Sequence, residues 1–411
     1  MKILYCDPCA LQTGGGNLVH NYELVTNLRK LGHVVVPLKV SGPRQKQEVD
    51  GNIRSSPWQR VKSRLRSVPL YKFLVKVMRI LRFAWREGFI FLSVLIVVVR
   101  QKRQFDIIYR RHDVFNSEFL IARLLKIPSV QEVNAVLADE ARIQNVGGSL
   151  IQRIIDTIER FNMPKADRII VVTSKLKDVL HHDYHIPEEK IVVILNGANT
   201  DLFKPMDSRH ARGELGLGED SSYVSYIGSL SQWQGVEYLI KSAPLVLSKC
   251  GNTRFLVVGD GVLKEELVAL AKQTGVSDRL IFTGFVPYDR VPLYINAGDV
   301  CVLPKKPVRG GYSPLKLCEY MACEKPVVAT RTSGFEILEE NDAGLLINPE
   351  DAQEFANAII RLLEAPDLRR KMGENGRRYV VKERSWESVA RRVVEVCQEA
   401  VEERKQRSAT P

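Results

Sequence analysis

The residues best placed for chemistry lie in one stretch, Gly310-Gly311-Tyr312-Ser313-Pro314-Leu315-Lys316-Leu317-Cys318-Glu319. A buried strand is expected to end near Leu303 and a helix to start near Pro314, where proline suits the first turn. The free N–H groups of a helix start, its macrodipole and the Lys316 ammonium together suit an anion such as a phosphate. Glu319 lies one turn further on. A carboxylate there can accept hydrogen bonds from two vicinal hydroxyls, as on a ribose; alone, it would be only a favourable charge near a helix start. Arg309, Lys305 and Lys306 stand behind Lys316 as further cations.

Other groups follow strands. Glu132, near the end of the strand Ser129–Val133, and Asn134, just after it, are expected to line a cleft, as an acid and an amide that bind ligand hydroxyls. Gly14-Gly15-Gly16 lies after the first strand, and glycines let a backbone approach a ligand closely. Gly259-Asp260-Gly261 is a weak G-x-G signal that could shape a pocket.

Such loops need a scaffold of parallel strands. Lys2–Cys6, a helix from Asn17 to Lys30 and His33–Leu38 form a βαβ pattern. The pattern resumes at Asp106–Tyr109 and continues through helix Ser117–Leu125, strands Ser129–Val133 and Asp167–Thr173, and Ile191–Leu195. A second set runs Tyr223–Ile227, helix Gly235–Ser248, Arg254–Val258, helix Leu263–Thr274, Leu280–Thr283, Val300–Leu303, Pro326–Thr330 and Gly344–Ile347. The expected fold class is α/β: two doubly wound, Rossmann-like domains facing a cleft, with ligands outside the carboxyl ends of the strands. The expected domains are 1–200 and 201–385. An amphipathic last helix, about Trp386–Arg404, packs back on the first domain, and the tail from Lys405 frays.

The chain has 411 residues and a formal net charge of +12. Between Arg44 and Arg103 there are fifteen Lys or Arg against three acids, so the excess is local. This insert, about 44–104, also carries Trp58, Tyr71, Phe73, Phe83, Trp85, Phe89 and Phe91. A basic, aromatic segment of that kind suits an anionic membrane surface. No nucleic-acid motif accompanies it, and nucleic acid is not expected as a partner. The longest apolar run, Gly88 to Val99, is too short to span a bilayer. Seven cysteines, with one isolated C-x-x-C at Cys6 and Cys9, fit reduced thiols in a cytoplasmic protein rather than a disulfide scaffold or a zinc site.

The 310–330 string, which ends Lys325-Pro326-Val327-Val328-Ala329-Thr330, resembles the C-terminal signature of the retaining glycosyltransferases of family 4, which have the GT-B fold. The resemblance extends over most of the chain. It includes Gly14-Gly15-Gly16 with Gly32-His33, Asn196-Gly197-Ala198-Asn199 with Phe203, and Tyr226-Ile227-Gly228-Ser229-Leu230 with Gln234-Gly235. Leu256 to Gly261, Phe282 to Val286 and Ala297-Gly298-Asp299 complete it. The Ser313-Pro314-Leu315-Lys316 and Glu319-Tyr320-Met321-Ala322 pieces resemble a subgroup of that family.

The resemblance implies a nucleotide-sugar donor, UDP- or GDP-linked, on the second domain. The acceptor, a saccharide or a lipid-linked saccharide, belongs to the first, and no metal or other cofactor is required. Donor contacts carried over are Gly15, Gly16, Ser229, Gln234, Gly259, Asp260, Arg309, Ser313, Pro314, Leu315, Lys316 and Glu319. Arg111 or His112 is the residue expected to face the donor sugar. Arg111, His112, Lys316 and Glu319 form the expected catalytic set. Three positions depart from the family pattern. Gly311 stands where the family often has a sugar-contacting glutamate. Ser229 and Gln234 stand where it has a phosphate-binding arginine and lysine, so Lys316 must replace them or the site is degenerate. The degenerate alternative is a nucleotide- or membrane-binding scaffold without turnover. As an enzyme, the chain is expected on the inner face of a membrane, in cell-envelope polysaccharide or glycolipid synthesis.

Overall fold

The computed structural model describes residues 1–6, 16–38, 104–113, 118–143 and 148–409, with Leu92, Leu95 and Ile96 between them. Nearly all of the 44–104 insert, together with Cys9, Gly14 and Gly15, lies outside the described residues; Leu95 packs beside Cys6, Phe105 and Ile121.

The first domain holds β1 (Lys2–Cys6), α1 (Gly16–Lys30), β2 (Val34–Pro37), β3 (Ile107–Arg111), α2 (Glu118–Leu124), β4 (Ser129–Val133), α3 (Leu137–Ile143), α4 (Gly148–Asn162), β5 (Arg168–Val171), α5 (Ser174–His182) and β6 (Ile191–Val193). Its six strands are parallel, in the order β2-β1-β3-β4-β5-β6. The second domain holds α6 (Ser208–Glu214), β7 (Ser222–Ile227), α7 (Val236–Lys249), β8 (Thr253–Val258), α8 (Lys264–Gln273), β9 (Leu280–Gly284), α9 (Val291–Ala297) and β10 (Val300–Leu303). It continues through α10 (Leu315–Ala322), β11 (Val327–Thr330), α11 (Ile337–Glu340), β12 (Gly344–Ile347), α12 (Ala352–Glu364) and α13 (Pro366–Glu383). Its parallel order is β12-β11-β10-β7-β8-β9. Most strand residues are buried because helices cover both sheet faces, which is why the strands read as continuous apolar runs.

The last helix, α14 (Trp386–Ala409), returns to the first domain. Trp386, Val389, Val393, Cys397 and Ala400 pack against Ile3, Leu24, Leu28, Tyr109 and Val130. It does not fray at Lys405 as expected but runs to Ala409. Arg168 pairs with Glu403, and Arg404 reaches Asp167 at 3.4 Å, so the first domain holds the end of the helix. The chain thus crosses between the domains twice. The crossings touch where Ala198 bridges Ser385 and the Ala198 N–H donates to the Arg384 carbonyl at 2.9 Å.

In each sheet the strand order reverses once, between β1 and β3 in the first and between β7 and β10 in the second. Ligands of doubly wound sheets bind outside the strand ends at such a point. The loops after β7 and β10 carry Ser229, Gln234, Lys305 and the segment leading into α10.

Candidate active site

In the second domain, α10 begins at Leu315, and Pro314 caps it in an extended conformation rather than forming its first turn. Lys316 therefore falls in the first turn and turns toward the loop after β7. Its ammonium is enclosed by Gly228, by the face of Tyr226 at 5.1 Å and by Gln234 Oε1 at 3.5 Å. Gln234 Nε2 donates to Ser229 Oγ at 3.2 Å. The three residues thus form one polar chain, and the single cation sits beside the two neutral positions. Burial pulls the Lys316 ammonium down to about 8, against the opposing pull of Glu319.

A second lysine joins it. Lys305, two residues past β10, is 5 % exposed and lies over the Tyr312 ring at 4.0 Å. Burial, then the charge of Lys316, pushes its pKa well below the ordinary lysine value. Among the described residues neither lysine forms an ion pair with a carboxylate. The sequence marks Lys305 only as a reserve cation, because nothing local to it foretells burial beside Lys316.

Glu319, 6 % exposed, accepts a hydrogen bond from the Tyr288 hydroxyl at 3.0 Å. Burial raises its carboxyl to about 7; the Tyr288 bond and Lys316 oppose this, and Glu23 of α1 adds to it. Glu23 accepts from Asn199 Nδ2 at 2.9 Å, and Phe203 packs on Tyr288 at 5.3 Å. The linker therefore touches both carboxylates' surroundings, a connection not visible in the sequence.

The rest of the 309–315 loop serves the seam between the domains. Arg309 pairs with Asp183 and lies 3.6 Å from Asp139, both in the first domain. Thr173 Oγ1 donates to the Gly310 carbonyl at 2.5 Å. Ser313 accepts from the Asn196 N–H through Oγ at 2.9 Å and from Asn196 Nδ2 through its carbonyl at 2.6 Å. Leu315 packs against the first-domain core. The side chains of Arg309, Ser313 and Leu315, expected at the donor, are thus turned to the first domain. Gly311 has φ 70° and backs onto the Ser333 carbonyl, so the family's glutamate has no room here. Asp260 is exposed; it accepts from the Gly261 N–H and Lys264, which hold its carboxyl below the usual range. Gly259, just past β8, bridges to the end of β9 by donating to the Gly284 carbonyl at 3.0 Å.

In the first domain, Gly15 lies outside the described residues and Gly16 opens α1. Arg111 ends β3 and donates to Asn21 at 3.3 Å. His112 was expected as an alternative to Arg111 facing the donor sugar, but it is turned inward. Nε2 lies 2.7 Å from Glu159 and Nδ1 2.7 Å from Gln131, which leaves neither ring nitrogen for a ligand. Glu159 also accepts the N–H groups of Leu137 and Ala138, so His112 is tied to the start of α3. Glu132 is buried and engaged by Tyr109 and Asn134; Asn134 is half-buried at the strand end.

Two doubly wound domains joined by two crossings, with their strand-end loops meeting at one seam, define the GT-B architecture. Residues 14–202 match the family model described as Glycosyltransferase Family 4, and residues 207–379 match that described as Glycosyl transferases group 1. The chain belongs to the family 4 glycosyltransferases. It is 29 % identical to the alpha-D-kanosaminyltransferase of Streptomyces kanamyceticus, over 62 % of this chain and 67 % of that one. It is 30 % identical to a D-inositol 3-phosphate glycosyltransferase of Acidothermus cellulolyticus, over 58 % of this chain and 55 % of that one. The fold is similar to that of sucrose-phosphate synthase from Thermosynechococcus elongatus, with TM-score 0.71 and 19 % identity over 97 % of this chain and 99 % of that one. It is also similar to Anabaena HepE in complex with UDP-glucose, with TM-score 0.67 and 20 % identity over 97 % and 100 %.

Proposed function

We propose that the chain transfers a sugar from a nucleoside-diphosphate sugar, UDP- or GDP-linked, to a hydroxyl of a saccharide or lipid-linked acceptor, with retention of anomeric configuration. The observation that carries this reading is the pair of buried lysines, Lys305 and Lys316, at the switch point of the second sheet. Two buried lysines that form no ion pair with a carboxylate among the described residues are costly to charge unless an anion joins them. A diphosphate supplies that anion, and the start of α10 adds its dipole. Glu319 lies one turn along α10 from Lys316 and holds the Tyr288 hydroxyl, a place that suits a ribose diol.

In the reaction the acceptor oxygen bonds to the anomeric carbon as the bond to the diphosphate oxygen breaks. The acceptor proton passes to the departing phosphate. Lys305 and Lys316 stabilise the charge that grows there. A covalent route through Glu132 is disfavoured, because its oxygens already accept from Tyr109 and Asn134. No metal or other cofactor is invoked.

The deciding experiment is thermal stabilisation by UDP-, GDP-, ADP- and CMP-sugars. Saturation at about 100 times Kd adds about 2.7 kcal/mol. One nucleotide class should stabilise the wild type and lose its effect on Lys316→Ala, Lys305→Ala and Glu319→Ala. Stabilisation without turnover would favour the scaffold reading that Ser229 and Gln234 motivate.

We also place the protein at the inner, cytoplasmic face of a membrane, in cell-envelope polysaccharide or glycolipid synthesis. Besides the basic insert, α4 supports this: Leu150, Ile154 and Phe161 are exposed, and the Lys165 ammonium sits 3.2 Å from the Phe161 ring centre. Among the described residues no helix is long and apolar enough to cross a membrane.

A further inference from the structure

The first-domain side of the site ends in a chain of buried polar groups. Glu132, in β4, is 2 % exposed. Oε2 accepts from the Tyr109 hydroxyl at 2.5 Å. Oε1 accepts from Asn134 Nδ2 at 2.8 Å and lies 3.0 Å from His20 Nε2. Burial alone would favour a protonated Glu132. His20, Arg111 and the bonds from Tyr109 and Asn134 outweigh it and hold the carboxyl below its ordinary value. Burial draws the His20 imidazole down to about 4; Glu132 opposes this and Arg111 adds to it.

An ionised carboxylate accepts hydrogen bonds and has none to donate. The Asn134 amide therefore has one permitted orientation, NH2 toward Glu132 and Oδ1 away from it. Asn134 is the residue immediately after β4, at the strand ends where ligands of such sheets lie.

We infer that Asn134 Oδ1, held outward by Glu132, is an acceptor-only contact that reads a sugar hydroxyl, and that Glu132 is a positioning residue without a ligand contact of its own. The identity of the ligand rests on the glycosyl-transfer reading above; the orientation of the amide does not. A saccharide with a hydroxyl at this position satisfies Oδ1. A deoxy or O-alkylated sugar covers Oδ1 and leaves it unpaired, which is how a polar group buried by its ligand discriminates between close analogues.

Two measurements test this. In protein labelled with 15N at asparagine, the Asn134 side-chain NH2 signal is identified by its loss in Asn134→Ala. It should exchange with solvent at least tenfold more slowly than exposed asparagines, and Glu132→Gln should shift it and speed its exchange. Exchange as fast as an exposed amide in the wild type overturns the orientation, whether or not Glu132→Gln folds. The second measurement is calorimetry on wild type and Asn134→Ala with two probes. One is the most stabilising nucleotide sugar of the panel against its free nucleotide; the other is methyl α-glucoside added to the nucleotide complex. Free-nucleotide affinity should be unchanged in Asn134→Ala, while one sugar increment falls about 5- to 10-fold. A fall with the first probe assigns the transferred sugar, and with the second the acceptor. No fall with either overturns the ligand role. A wild type that binds no nucleotide refutes the donor reading instead, and amide exchange still decides the orientation.

Discussion

The ammonium of Lys316 occupies the space into which a side chain on Gly228 would project. Gly228 also has φ 153°, which disfavours other residues, so the turn after β7 is shaped around a cation supplied by α10. Gly228→Ala should displace that ammonium. Loss of a charge-assisted contact is worth about 1.5–3 kcal/mol. UDP affinity should fall roughly 10- to 100-fold in Gly228→Ala and in Lys316→Ala, and little further in the double variant. Titration calorimetry of the cycle checks this; additive losses would mean that the glycine and the lysine act separately.

Nucleotide affinity should be bell-shaped in pH. Lys316 is drawn down to about 8, so rising pH strips the ammonium proposed to hold the diphosphate. Glu319 is raised to about 7, so falling pH protonates the carboxylate proposed to accept ribose hydroxyls. Lys305, also depressed by burial, would lose its proton on the same alkaline side. Glu319→Gln should flatten the acid limb alone, which UDP titrations from pH 5.5 to 9.5 would resolve.

The domain seam should respond unequally to two substitutions. Arg309 is well exposed, and removing its ion pairs in Arg309→Ala should change stability by about 0–1 kcal/mol and leave UDP affinity intact. Asn196→Ala leaves the Ser313 carbonyl without its partner and should cost about 1–3 kcal/mol. Chemical denaturation separates them. A large loss of UDP affinity in Arg309→Ala would return that residue to the donor site.

Trp386 anchors the last helix against His20 at 5.0 Å and is 2 % exposed. Trp386→Ala should destabilise the protein by about 3–5 kcal/mol. The loss should appear in hydrogen exchange of the first sheet, while β7 to β12 stay protected. Uniform loss across both sheets would show that the two domains unfold as one unit.

Membrane docking predicts sedimentation with anionic vesicles and not with neutral ones. Reversing Lys62, Arg64 and Arg66 to glutamate should abolish it. Equal failure of the wild type to bind either vesicle would end the proposal.

The βα alternation was legible because strands covered on both faces must read as apolar runs. The helix start near Pro314 was legible because a strand end and a proline mark it, whereas the roles expected of Lys316 and Glu319 came from the family resemblance. Other features lie beyond local pattern. The burial of Lys305 depends on Tyr312 and Lys316, which reach it only after folding. The inward turn of His112 depends on Glu159, forty-seven residues away. The seam roles of Arg309, Ser313 and Leu315 depend on a second domain, which no periodicity encodes. Helix α13 was missed because its sequence is polar and holds Gly373 and Gly376; both are buried, against Glu324 and Met321.

Helix α14 also sets an order of assembly. Ribosomes make a chain from its amino end, so β1 to β6 emerge first, yet the helix that covers one face of their sheet emerges only after the whole second domain. During synthesis the surface formed by Ile3, Leu24, Tyr109 and Val130 therefore waits uncovered while β7 to β12 can already close around their own core. The half begun first is finished last. Until α14 docks, the nascent protein carries an apolar surface that chaperones would recognise.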